Sequence, residues 1–340
     1  MDELEPTLRF FGLREQPFAA TADPAYFYAT RAHRECLYRL WNSIDGRHGI
    51  AVVLGSYGTG KTTLLRKLLT GMKAEPDRYN TAVIGSPIPS WTSFALLDQI
   101  VTQIGLRPPK RSFMAYMDEL NKYLISNRNR INTLIIDDAQ NLNKRGQLEL
   151  LRLVQNLETP QHKLLNLVLF AQMEWMQILA SVPNFEQRIN MTFTFEALSE
   201  GDIRNLIQFR LAQAGAQGAN VPVFDDLAIR CIHAYAEGSP RVSITVCRNA
   251  LMVAARLKTR HITAEVIVHT IEKTTLPDRT KRARVASVFG GAPQSASTPA
   301  AMMVSDPAPR REPVMPASGI SRDERARQML LRSGRGKPVS

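Results

Sequence analysis

Apolar residues in the first two thirds of the chain fall into short unbroken runs separated by longer stretches of helical spacing. The runs are residues 50–54, 79–85, 133–136, 165–171 and 191–195. Runs of that length with almost no polar interruption suit strands covered on both faces, as in a parallel sheet. Between them, apolar positions recur at three and four residues over 63–69, 93–104, 112–125 and 146–157, the spacing of helices with one buried face. The alternation predicts an α/β core with a mainly parallel five-stranded sheet.

Beyond residue 198 the strand pattern stops. Helices are predicted at 200–213, 224–236, 240–257 and 263–273, enough for a small all-helical lid domain. Ahead of the first strand, Phe10, Phe11, Pro17, Phe18, Phe27 and Tyr28 precede an amphipathic helix around 33–41, predicting a lead-in packed on the core. From residue 277 the chain turns to Pro, Ala, Ser and Gly with a basic cluster at 279–284, the composition of a disordered segment. Near its end, Ser321 and Glu324 form a capping box before a short basic amphipathic stretch. That stretch reads equally as a docking peptide or as nothing. The expected organisation is 1–45 lead-in, 46–197 α/β nucleotide domain, 198–276 helical lid and 277–340 basic tail.

Composition narrows the classes. The chain has 340 residues, 44% of them hydrophobic, which is ordinary for a soluble protein of two domains. No run approaches the ~18 apolar residues of a membrane span, and the acidic start lacks a secretory pattern. A cytoplasmic location is therefore expected. Cys36, Cys231 and Cys247 show no metal or redox spacing and read as small buried hydrophobes. The net charge is +12, and residues 273–340 hold 13 Lys and Arg against 5 Asp and Glu. A solvated basic tail or a contact with an anionic partner both fit.

The sharpest motif follows the first strand: Gly55-Ser56-Tyr57-Gly58-Thr59-Gly60-Lys61-Thr62, with Thr63 inside the next helix. This pattern between a strand and a helix is a phosphate-binding loop, in which inward backbone N–H groups and the helix N-terminus cradle an anion. Lys61 reaches the β- and γ-phosphates of ATP, and the Thr62 hydroxyl serves Mg²⁺. Asp137 and Asp138 end the third strand, where ligands gather in such sheets. Asp137 is the expected partner of the metal, and Asp138 the acid beside the attacking water. Gln172, at the end of the fourth strand, offers a polar amide to the γ-phosphate or its water. At Gly238-Ser239-Pro240-Arg241 an arginine sits in a helix's first turn, against the helix dipole, so an anionic ligand is the natural reason for Arg241. Exposed basic residues Arg107, Lys110, Arg111, Lys144 and Arg145 are candidates for nucleic-acid phosphates.

Taken together, these features resemble an AAA+ ATPase. Within that class the chain resembles the ExeA-like branch, which also contains the transposition regulators TnsC, TniB and MuB. The residues carrying this are Phe11-Gly12-Leu13, Pro17-Phe18, Asp23-Pro24, Asp137-Asp138-Ala139-Gln140, the run 151–159 and Gly238-Ser239-Pro240-Arg241. The resemblance implies that Gln172 is a sensor, Arg188 a finger offered to a neighbouring subunit's nucleotide, and Arg241 the lid sensor. It also implies a homo-oligomer, as ring or filament, working with ATP and Mg²⁺. Members usually carry Glu at the position of Asp138, so hydrolysis is expected to be slow. Three functions fit. One is a regulator that binds double-stranded DNA without sequence preference and recruits a transposase with target-selection proteins. Another is a soluble secretion or envelope-assembly ATPase that organises protein partners without DNA. The third is a nucleotide-gated scaffold with negligible turnover.

Overall fold

In chain order the elements are α1 (Leu4–Phe11), α2 (Arg31–Asp45), β1 (Ile50–Gly55), α3 (Lys61–Lys73), β2 (Tyr79–Ile84), α4 (Ser93–Gln103) and α5 (Phe113–Ser126). They continue with β3 (Ile131–Ile136), α6 (Arg145–Gln155), β4 (Asn166–Ala171), α7 (Trp175–Ala180), α8 (Pro183–Glu186) and β5 (Ile189–Phe195). After these come α9 (Glu200–Gln213), β6 (Val223–Phe224), α10 (Asp226–Ala236), α11 (Pro240–Arg256), β7 (His261–Ile262), α12 (Ala264–Thr274) and α13 (Arg279–Gly290). This computed structural model describes residues 4–19, 23–216, 218 and 221–290.

The five long strands pair in parallel in the order β2-β3-β4-β1-β5. Successive residues of a strand face opposite sides of a sheet, and here each side meets its own helical layer. Ile50, Val52 and Leu54 join Leu134, Ile136, Leu167 and Leu169 in a cluster with α4, α5 and α6. Ala51 and Val53 join Ile135, Val168 and Phe170 in a second cluster with α2 and α3. Burial on both faces explains why β1, β3 and β4 carry no exposed position. Because β1 lies between β4 and β5, with β3 beyond β4, the carboxyl ends of β1, β3 and β4 lie together on one edge of the sheet.

The α/β expectation holds, and three features around it differ from the sequence reading. The lead-in divides in two: α2 packs on the sheet, whereas Phe11, Leu13, Phe18 and Tyr26 are buried in the core of the lid. The lid is not wholly helical, because β6 and β7 pair in parallel through Val223 with His261 and Phe224 with Ile262. The tail does not begin at 277, because α13 packs on α10 and buries Val285 in the lid core. Asp278 starts that helix by accepting the N–H of Lys281 at 3.0 Å. The expected box at Ser321 and Glu324 lies outside the described residues. Among the described residues no helix is long and apolar enough to cross a membrane.

Phe11 is fully buried between the lead-in and the lid. Phe11→Ala is expected to lower the stability of the lid by about 3–5 kcal/mol through transfer and cavity terms. Denaturant unfolding followed by a lid-specific probe measures this, and a loss confined to the α/β core would contradict the packing.

Candidate nucleotide site

The loop after β1 is shaped by what surrounds it. Gly60 is the N-cap of α3 and provides no side-chain cap, and the first turn of α3 has no acidic residue. The free N–H groups of that turn therefore face the loop with the helix dipole behind them. Gly58 has φ +75°, and a Cβ added there would stand 2.5 Å from Cβ of Arg241. Only glycine allows the lid arginine this close to the loop.

Lys61 is buried, and its ammonium donates to the carbonyls of Gly55 at 2.6 Å and Ser56 at 2.9 Å. Burial lowers its pKa, while the charges of Asp137, Asp138 and Glu174 raise it. The Thr62 hydroxyl donates to Oδ2 of Asp137 at 2.8 Å. Burial pushes the Asp137 carboxyl up, opposed by that hydroxyl and by the N–H of Asp138. A hydroxyl and a carboxylate side by side are hard oxygen donors, the chemistry Mg²⁺ selects, with phosphate oxygens and water completing its octahedron. The residues present thus fit Mg²⁺ bound together with a nucleoside triphosphate.

Asp138 adopts a left-handed conformation with φ 51°, which a short polar side chain tolerates better than most. Its Oδ1 accepts from Nε2 of Gln140 at 3.0 Å, and Oε1 of Gln140 accepts the N–H of Gln172 at 3.2 Å. Gln140 thereby ties the ends of β3 and β4 together. Gln140, in the Asp137-Asp138-Ala139-Gln140 motif, joins the site only through these contacts, which sequence does not reveal.

A second residue that the sequence reading missed is His33. Its Nδ1 lies 2.7 Å from the Thr30 hydroxyl and receives the Thr30 N–H at 3.3 Å, which leaves the proton on Nε2 to donate to the Thr59 carbonyl at 2.8 Å. This tautomer is inferred from the network. The ring stacks on Phe195 and meets Phe27 edge-on, and burial lowers its pKa, so it stays neutral. Sequence offered only a weak signal, because Thr30 followed by histidine at the third helical position departs from the usual capping pattern of Glu or Gln.

His33, the loop and the paired acids line one cavity of about 420 Å³ between the α/β domain and the lid. Tyr57, Gly58, Thr59, Gly60, Lys61, Thr62, Thr63, Asp137, Asp138 and Gln172 line it, and the lid adds Leu206, Arg210 and Arg241. Tyr26, Phe27 and Tyr28 from the lead-in close another side, so the aromatic strip borders the site as well as packing on the core. Gly55 and Ser56 support it through the Lys61 contacts.

Arg188 is not brought into this cavity. It precedes β5, whose Ile189 pairs beside Ile50, so it sits at the opposite edge of the sheet and its Nη1 donates to Asn156 at 2.8 Å. Of the basic candidates, Arg107, Lys110, Arg111 and Arg145 are exposed. Lys144 is exposed as well, and its ammonium donates to the carbonyls of Ser90 at 2.9 Å and Trp91 at 3.2 Å. Arg111 lies 5.9 Å over the ring of Phe94, so it and Lys144 flank the start of α4.

Strand order, phosphate loop, paired acid and a lid arginine facing the loop together define a P-loop domain of the AAA fold, built to bind a nucleotide. Residues 44–179 match the family model for an AAA domain. The chain is 34% identical over 251 residues to general secretion pathway protein A of Aeromonas hydrophila, a region that is 72% of this chain and 44% of that protein. It thus spans less than half the length of that relative. In fold it is similar to Cdc6p from Pyrobaculum aerophilum, with TM-score 0.55, 19% identity, and coverage of 79% and 74% of the two chains. It is also similar to Drosophila ORC bound to DNA, with TM-score 0.54, 16% identity, and coverage of 79% and 65%. The Aeropyrum pernix ORC2 protein, solved in ADPNP and ADP complexes, matches with TM-score 0.52, 17% identity, and coverage of 74% and 70%. At such identities these likenesses establish the fold.

Lys61→Ala is expected to weaken ATP binding at least about 100-fold, since charge-assisted bonds contribute roughly 1.5–3 kcal/mol each. His33→Ala should weaken it less and leave the site measurable. Titration with a fluorescent ATP analogue ranks the two, and an equal effect would refute the supporting role of His33.

Proposed function

We propose that this chain is a slow ATPase that uses ATP and Mg²⁺ as a switch for assembling with further copies and for organising protein partners of a secretion or envelope-assembly system. The observation carrying the reading is that one cavity takes its phosphate loop from the α/β domain and its arginine from the lid, with Gly58 and Arg241 in near contact. Occupancy of such a seam changes how two parts of the chain are held. Mg²⁺ with Thr62 and Asp137 would offset phosphate charge. Lys61 neutralises the β and γ oxygens, Arg241 adds positive charge at the terminal phosphate, and Asp138 orients the attacking water. The tie from Gln140 to Gln172 holds Asp138 in place. Arg188 is exposed and far from its own cavity, and on this reading it serves the nucleotide of a neighbouring copy. Similarity to general secretion pathway protein A supports the class of partner.

A second reading, a DNA-binding regulator that recruits a transposase, keeps one favourable observation. Arg107, Lys110, Arg111 and Arg145 are exposed, and Arg111 lies at the start of α4. On this reading, binding to duplex DNA would be independent of sequence and steeply weakened by salt. Sedimentation with a non-hydrolysable ATP analogue, with and without duplex DNA at low salt, separates the two. Assembly that needs nucleotide and ignores DNA supports the first; assembly that requires DNA supports the second.

Asp138→Asn is expected to lower turnover at least about 100-fold, the scale of a lost general base, and to leave ATP affinity within a few-fold. Arg188→Ala should also remove turnover and keep binding by isolated subunits. Steady-state phosphate release beside equilibrium titration tests both, and loss of affinity in either variant would refute the assignment.

A further inference from the structure

The approach of Arg241 to the phosphate loop depends on a turn that α13 supports from behind. The turn joins α10 to α11 and places two consecutive residues in the left-handed region, Glu237 at φ 51° and Gly238 at φ +71°. Glu237 in that conformation is unfavourable for a side chain of its kind, so surrounding contacts must hold it. On one side the backbone does so: the N–H of Leu198 donates to the carbonyl of Gly238 at 2.9 Å, and the N–H of Glu237 to that of His233 at 2.8 Å. The approach at Leu198 is so close that a Cβ on Gly238 would lie 2.6 Å from the Leu198 oxygen.

On the other side stands α13. Its Val285 is 3% exposed within the lid core. The Lys281 ammonium lies 5.8 Å over the ring of Tyr235, in the last turn of α10. The Arg284 guanidinium pairs with the Glu237 carboxylate itself. Immediately after the turn, Ser239 caps α11 by accepting the N–H of Val242, and Ser243 fixes the Ser239 carbonyl at 2.9 Å. Two residues past Ser239 the chain presents Cβ of Arg241 to Gly58. A continuous series of contacts thus runs from α13 through Glu237 to the loop.

We propose that α13 is a brace for the lid arginine, with Arg284 and Glu237 acting as positioning residues that set where Arg241 meets the terminal phosphate. The inference rests on the proposed role of Arg241. A helix that only stabilised the lid would affect every ligand alike. A brace on this turn affects the ligand that carries a γ-phosphate.

The test uses the full chain with Mg²⁺ and measures affinities for fluorescent ATP and ADP analogues, together with thermal unfolding. Arg284→Glu sets two carboxylates against each other at the turn. It is expected to reduce the preference for ATP over ADP by about fivefold, the scale an exposed ion pair can transmit. The exchanged pair, Glu237→Arg with Arg284→Glu, is expected to restore that preference. A preference unchanged in Arg284→Glu but lost in Arg241→Ala overturns the brace and leaves the site intact. Equal weakening of ATP and ADP with a lowered unfolding temperature overturns it too, since the contact is then merely structural. A preference that Arg241→Ala also leaves unchanged removes the role of Arg241 and the brace with it.

Discussion

A phosphate loop must hold its amides in one orientation without filling the space they surround, so something outside the loop has to fix it. Two distant segments do this here. From the lead-in, the neutral His33 imidazole donates to the Thr59 carbonyl at 2.8 Å and shares an aromatic cluster with Phe27 and Phe195. From the lid, Arg241 comes so near that position 58 has no room for a side chain. Burial disfavours the imidazolium, so the histidine keeps its donor and acceptor roles at neutral pH. The cavity therefore exists only when lead-in, sheet and lid are all folded, and each part of the site depends on packing well away from it.

The same dependence decides what could be read from sequence. The sheet was legible because strands buried on both faces leave long apolar runs, and the loop, Asp137 and Arg241 because each is a local pattern with a physical reason. Missed features rest on contacts between remote segments. The Lys144 ammonium meets the carbonyls of Ser90 and Trp91, contacts that no charge count registers. Two-residue strands such as β6 and β7 are shorter than any periodicity. In α13 basic residues dominate and only Val285 is fully buried, so composition signals a solvated tail although the lid core holds one side of the helix. His33 was visible only as one polar position in an amphipathic helix.

Asp138 shows how geometry and residue choice bear on each other. Held in the left-handed region and tied through Gln140 to the end of β4, its carboxylate has little freedom to reach farther into the cavity. On the proposed function, an aspartate fixed in this way holds its oxygens farther from the attacking water than a glutamate there would. Displacements of about 1 Å are enough to slow a reaction on the order of 100-fold. On the proposed function, slow turnover would lengthen the life of the ATP-bound state, which suits a device whose output is the state itself.

The helix that carries Arg241 extends well beyond the site. Arg241 opens α11, a helix of 17 residues and so about 25 Å long at 1.5 Å per residue. Because a helix is stiff, a small rotation at the arginine end becomes a larger displacement at the other. Alongside α11 lies α1, which places Phe10 and Thr7 next to Met252 and Ala255 at that far end. The lead-in that buttresses the loop through His33 thus also packs, through α1, against the distal end of the helix bearing Arg241. Loop and lid thus meet at the cavity, and α1 packs on the helix that carries Arg241.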